Sequence, residues 1–161
     1  MFKFQEFDRV DHIAIAVVDL KESIRYYSDQ LGFELDCVRD TFGKFSGMRS
    51  AVLFSGDFSV VLLQSLDEES QIQKYLDKYG AGVQHVAFRV SEIENVESLL
   101  QERGVEFSTS IIEGPGLRQI FTKRDPASGM MFEFIERVKN DNYSEESINN
   151  LFAQLEDGCE Y

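Results

Sequence analysis

Histidine is almost missing from this chain of 161 residues, which has only His12 and His85. Cysteine is as scarce. Cys37 and Cys159 lack the short spacings of a thiolate metal site, and neither has an imidazole to spare as the partner a catalytic cysteine needs. Basic residues are outnumbered, 16 lysines and arginines against 29 aspartates and glutamates, leaving a net charge of -13. That balance argues against nucleic acid and anionic membranes as partners, because phosphate contacts rest on lysine and arginine. The longest unbroken apolar run, Ile13 to Val18, is six residues, far short of the roughly 20 that span a bilayer. An apolar leader with a small-residue cleavage site is also lacking. A phosphate loop is excluded as well: Glu113-Gly-Pro-Gly-Leu has neither the spacing nor the lysine-serine pair that cradles a nucleotide. The expectation is a reduced, cytoplasmic protein with a small-molecule partner, no nucleic acid and no membrane. A hydrophobic content of 43% suits one domain with a true core.

The two histidines stand at the same place in similar segments, Val10-Asp-His-Ile-Ala-Ile-Ala-Val and Val83-Gln-His-Val-Ala-Phe-Arg-Val, and a shift of 72 to 73 residues matches more than these. The chain therefore reads as an internal repeat, each half giving a strand, a helix and three strands. Ile13, Ile15 and Val17 alternate as a strand; Asp19 and Glu22 read as a helix cap, and Leu20, Ile24, Tyr27 and Leu31 keep a 3.6-residue stripe up to Gly32. In the second half Ser91 and Glu94 read as the capping box, Ile93, Val96, Leu99 and Leu100 as the buried face, and Gly104 as the stop. Strands are expected at about 33–39, 48–54 and 58–65, then at about 105–111, 117–123 and 130–137. A connecting helix over Glu68 to Tyr79, ended by Gly80, joins the halves. Beyond Lys139, Ile148, Leu151, Phe152 and Leu155 keep helical spacing behind Ser144. The reading is an α+β single domain over 1–140, with modules at about 8–66 and 82–138. A C-terminal amphipathic helix and acidic tail occupy 141–161.

Histidine is the side chain most often used to hold iron, zinc, copper or nickel. A lone histidine at the head of an apolar strand is usually a core residue; two at repeat-equivalent positions are not so easily dismissed. The same repeat pairs Val61 with Glu133. If the modules curve around one cavity, His12, His85, Glu133 and Val61 converge, and three of these can bind metal. Two histidines and one carboxylate form the facial set of non-haem Fe(II) oxygenases, which leaves positions open for substrate and oxygen. Glu133 lies between Phe132 and Phe134, an expensive place for a carboxylate without a cation.

With these residues in place, the chain resembles the vicinal oxygen chelate superfamily, in which two βαβββ modules form a curved sheet around a divalent metal. The segments Ser70-Gln-Ile-Gln, Gly80-Ala-Gly-Val-Gln-His-Val-Ala, Arg103-Gly-Val-Glu-Phe and Gln119-Ile-Phe-Thr-Lys resemble the iron-binding half of the 4-hydroxyphenylpyruvate dioxygenase and hydroxymandelate synthase family, as does the terminal Asn150-Leu-Phe-Ala-Gln-Leu-Glu. The likeness spans about residues 8–157. It implies metal ligation by His12, His85 and Glu133, with Fe(II) as cofactor and Co, Mn, Zn or Ni as alternatives. It further implies a substrate pocket lined by Ser50, Gln71, Gln84, Gln119, Phe121, Ile148 and Phe152. Leu66 and Ile148 stand where the family has a pocket asparagine and an aromatic clamp. The activity implied is that of an Fe(II)-dependent dioxygenase acting on a 4-hydroxyphenylpyruvate-like 2-oxo acid with O2. A metal-dependent epimerase or lyase resembling methylmalonyl-CoA epimerase is the alternative, and a non-enzymatic ligand-sequestering module is a third. Because the family's metal-free half has no counterpart here, a homodimer is expected.

Overall fold

The computed structural model describes residues 7–114 and 116–137. The helix expected over 141–161, with Ile148, Phe152 and Cys159, lies outside the described residues. The elements run β1 (Arg9–Ala16), α1 (Leu20–Arg25), β2 (Glu34–Phe42), β3 (Gly47–Ser55), β4 (Phe58–Ser65), α2 (Gln71–Tyr79), β5 (Gly82–Arg89), α3 (Ile93–Glu102), β6 (Ile112–Gly114), β7 (Leu117–Phe121) and β8 (Met131–Arg137). The order strand, helix, three strands thus occurs twice, the α+β pattern of two βαβββ modules expected from the sequence. All eight strands join one curled mixed sheet in the order β2-β3-β4-β1-β5-β8-β7-β6. β1 runs parallel to β4 and β5 parallel to β8, while β1 and β5 pair antiparallel at the centre. Like strands meeting antiparallel relate the two modules by a pseudo-two-fold axis between them.

Side chains alternate between the faces of this sheet. On the outer face α1 covers Ala51, Leu53, Val60 and Leu62 with Leu20. Its counterpart α3 covers Ile120 and Phe134 with Ile93, Val96 and Leu100. Each such leucine or isoleucine taken from water contributes roughly 1.5–3 kcal/mol, so the helices hold the sheet's curl from outside. On the inner face of the first module α2 lays Ile72 and Tyr75 over Ala14, Ala16, Val52, Val61 and Leu63. The far end of α2 is fastened to the second module. Tyr75 donates to the Val83 carbonyl at 2.8 Å, and Tyr79 packs so close to Gly129 (φ +72°) that a Cβ there would stand 2.6 Å from its ring.

Four details depart from the sequence reading. The stripe ending in Leu31 breaks, because α1 widens into a π-helical turn over Tyr26–Gln30 in which the Leu31 amide donates to the Tyr26 carbonyl at 3.1 Å. The extra residue in that turn rotates Leu31 out to 51% exposure, and Phe33 packs on Tyr27 in its place. Ser91 does not cap α3: Glu92 holds that position with φ +56°, its amide bonded to Glu136, while the Ser91 hydroxyl donates to Asp8. The strand expected at 105–111 shrinks to a single bridge, Phe107 to Thr122, with β6 displaced to Ile112–Gly114. Here hydroxyls replace the ladder, since Thr109 Oγ1 accepts the Phe121 amide and the Ser108 hydroxyl donates to the Phe121 and Thr122 carbonyls. At the caps of α1 and α2, Asp19 and Ser70 do accept helix amides; α2 starts at Gln71 and not at Glu68 because Ser70 is its cap.

Candidate metal centre

Two rows of inward-facing residues cross the middle of the sheet. One runs Phe54 (β3), Ser59 (β4), His12 (β1), Ala87 (β5), Glu133 (β8), Phe121 (β7); the next runs Val52, Val61, Ala14, His85, Met131 over the strands β3, β4, β1, β5, β8. The pseudo-two-fold exchanges them, carrying His12 onto His85, Ala87 onto Ala14 and Glu133 onto Val61. His12 and Glu133 are therefore not on adjacent strands. They meet across Ala87, whose methyl side chain leaves the room between them. Val61 stands in the mirror place, beside Ala14, and offers no ligand atom.

The three polar side chains converge tightly. His12 Nε2 lies 3.3 Å from His85 Nε2, and Glu133 Oε2 lies 3.1 Å from the first and 3.4 Å from the second. All three residues are buried, Glu133 to 1% exposure. Two β-bulges aim the rings. The β1–β5 register skips Asp11 and Gln84, each immediately before a histidine, and a bulge lets consecutive side chains share a face. Asp11 Oδ1 thereby reaches His12 Nδ1 at 3.1 Å, and Gln84 Oε1 sits against His85 Nδ1. With an acceptor at each Nδ1, that nitrogen carries the proton and donates, and both Nε2 lone pairs point into the space shared with Glu133.

Three electron-pair donors facing one another need a cation between them. Neither Glu133 oxygen has an aligned hydrogen-bond donor among the described residues, despite the close approach of the rings. A divalent ion bonded at about 2.0–2.2 Å needs its donors about 2.8–3.6 Å apart, which brackets the three edges found. His12, His85 and Glu133 could therefore hold a metal ion. Without one, a proton must serve. Burial opposes the imidazolium at His12, but the Glu133 and Asp11 carboxylates outweigh it and push the ring up to about 9. Burial likewise opposes the Glu133 carboxylate, yet His12 holds it down to about 2. His85 is lowered, chiefly by burial.

Residues 9–134 match the family described as Glyoxalase/Bleomycin resistance protein/Dioxygenase superfamily. The chain belongs to this superfamily. Over 94 residues it is 37% identical to a protein named probable 4-hydroxyphenylpyruvate dioxygenase 2 of Aspergillus fumigatus, a match covering 52% of this chain and 23% of that one. The structure of a mutant 4-hydroxymandelate synthase from Streptomyces coelicolor superimposes with a TM-score of 0.85 at 21% identity, over 94% of this chain and 54% of that one, and so shares the fold. Methylmalonyl-CoA epimerase from Mycobacterium tuberculosis superimposes with a TM-score of 0.70 at 31% identity, over 86% of this chain and 94% of the epimerase. The chain spans well under half the length of the dioxygenase relatives it matches. Members similar to it thus include both oxygenases and epimerases.

On this superfamily scaffold the expected pocket residues divide. Phe121 is fully buried beside Glu133 and packs in a T-shaped contact with the His85 ring at 5.3 Å between centroids. Gln119 shares its face two residues along β7, opposite Ile135. Gln84 is engaged with the His85 ring and so acts through it. Gln71, in the first turn of α2, is buried, and its Oε1 has no hydrogen-bond partner among the described residues. Ser50 is buried on the inner face, opposite Leu63 and one row beyond Val61. Ile148 and Phe152 lie outside the described residues. The sequence reading missed Asp11. The repeat contained the signal, since Asp11 is the counterpart of Gln84 under the shift that paired the histidines.

Proposed function

We propose that this protein is a non-haem Fe(II)-dependent dioxygenase acting on a small 2-oxo acid of the 4-hydroxyphenylpyruvate kind with O2. The observation that carries the reading is Val61 at the place related by pseudo-symmetry to Glu133. A set of two histidines and one carboxylate, without a fourth protein donor among the described residues, leaves room for a bidentate substrate and oxygen. Bound Fe(II) would supply the chelation of the 2-oxo acid and the activation of oxygen. The chain supplies the rest. His12, His85 and Glu133 would hold the ion; Phe121 excludes water beside it; the buried Gln71, its Oε1 without a hydrogen-bond partner among the described residues, is the amide assigned to an organic ligand. No described residue is required as a nucleophile. Oxygen uptake by the Fe(II)-loaded protein with 4-hydroxyphenylpyruvate and simpler 2-oxo acids tests the proposal, along with a visible charge-transfer band under anaerobic conditions. Absence of both with every 2-oxo acid tried would overturn it.

The similarity to methylmalonyl-CoA epimerase over nearly all of that enzyme's length favours a second reading, proton transfer at an acidic carbon without oxygen. Such chemistry needs a base beside the metal. Apart from the ligands, the two rows carry only alanine, valine, phenylalanine, Ser59 and Met131, none of them a base at neutral pH, and the nearby Asp11 carboxylate is taken up by His12, Arg89 and Arg137. Solvent deuterium incorporation into methylmalonyl-CoA by the Co(II)-loaded protein, with no oxygen consumed, is the outcome that would favour this reading over the first.

A further inference from the structure

The two histidines are backed differently. Each β-bulge delivers one acceptor to an Nδ1, and the pseudo-two-fold makes these acceptors equivalent in place, but Asp11 is an anion and Gln84 a neutral amide. Asp11 is 5% exposed, a costly position for a lone carboxylate. Two arginines hold it. Arg89 donates from Nε at 3.1 Å and Nη2 at 2.7 Å to Oδ2; Arg137 donates from Nε at 2.9 Å to Oδ2 and from Nη2 at 2.8 Å to Oδ1. Oδ1 then takes the His12 ring as its further partner. The three strands that bear the candidate ligands each supply one member of this network: β1 gives His12 and Asp11, β5 His85 and Arg89, β8 Glu133 and Arg137. The arginines stand on the same inward face as the ligands of their strands, four residues further along.

We propose that Asp11, fixed by Arg89 and Arg137, is a positioning residue for His12, and that the centre is thereby built with two unequal imidazoles. This rests on the reading of His12, His85 and Glu133 as metal ligands. An anionic acceptor at Nδ1 locks the ring's tautomer and rotation and raises the donor strength of Nε2, whereas an amide does the first with much less of the second. A network serving only to staple three strands could sit anywhere along them. This one sits on the bulge that turns Asp11 toward the ring.

Zn(II) titration and proton NMR of the imidazole Nδ1 protons in the Zn(II)-loaded protein test the inference. In the wild type the His12 proton should resonate further downfield than that of His85. Asp11→Asn, which keeps size and an acceptor but removes the charge, should bring the two together and weaken Zn(II) binding by about 10–100-fold. Gln84→Glu should move the His85 proton downfield. Equal shifts in the wild type would overturn the inference even if Asp11→Asn fails to fold. So would an Asp11→Asn variant that loses thermal stability without metal while binding Zn(II) as tightly as before with an unmoved His12 proton, since Asp11 would then be a staple alone. Wild-type protein that binds no Zn(II), Co(II) or Fe(II) would remove the metal reading itself; failure of the Asp11 measurements in a protein that does bind leaves that reading standing.

Discussion

Glu133 is a carboxylate with 1% exposure and no aligned hydrogen-bond donor among the described residues. Its burial makes sense only with positive charge beside it. Glu133→Gln keeps the volume and removes that charge pairing, so the variant should fold and lose divalent-metal affinity by more than about 100-fold, beyond the effect of outer-shell changes; a titration with Fe(II) or Co(II) measures it. Protons compete for the same site. His12 is held at about 9 in the metal-free protein, against 6.5 ordinarily. Metal must displace that proton, so at pH 7–8 uptake should release about one proton per ion, and apparent affinity should climb as pH rises toward about 9. Calorimetry in buffers of different ionisation enthalpy counts the proton. The sign for stability without metal follows from the same shifts. The raised His12 contributes fully below 6.5 and loses its contribution as pH climbs to about 9, while the depressed Glu133 contributes above 4.5 and loses it as pH falls toward about 2. This pair contributes most between 4.5 and 6.5, but the lowered His85 takes stability away as pH falls below 6.5, so metal-free protein should be most stable toward the upper end of that window, as thermal unfolding across pH would reveal.

At the scale of elements, the centre depends on two bulges and two alanines. Ala87 separates His12 from Glu133 in one row and Ala14 separates His85 from Val61 in the other. Ala87→Leu would place a branched side chain where the carboxylate and imidazole meet. Overpacking of this kind costs about 1–3 kcal/mol, and the larger effect should be on the ligand spacing. Thermal unfolding should show a modest loss and metal titration a severe one; unchanged metal affinity in a folded variant would show that the row geometry is wrong. Helices were legible from the stripes Leu20–Ile24–Tyr27 and Ile93–Val96–Leu100, because an amphipathic face is a local property of order and spacing. The π-helical turn and the missing strand at 105–111 were not, because each turns on competition between near-equal hydrogen-bond partners. Tyr26, Ser108 and Thr109 carry nothing in their identity that decides such a contest.

Among the described residues the molecule is a single sheet whose two modules meet at β1 and β5, and no helix is long and apolar enough to cross a membrane. The outer strand β2 and the loop after it expose Leu35, Val38, Phe42 and Phe45. An apolar edge of this kind fits the expected homodimer. Light scattering at micromolar concentration should return twice the chain mass; the single-chain mass would refute it. Sequence alone determined the duplication, the helix stripes and the trio His12, His85 and Glu133, because these are matters of residue type and period along one chain. It also marked Val61 as the blank counterpart of Glu133. Only the tertiary structure decided that His12 and Glu133 meet across Ala87, that two bulges turn Asp11 and Gln84 onto the rings, and that Arg89 and Arg137 reach back over long stretches of chain to hold Asp11. Those contacts depend on strand register and on which neighbour each strand takes, and a one-residue slip in register would undo all of them without changing a letter of the sequence.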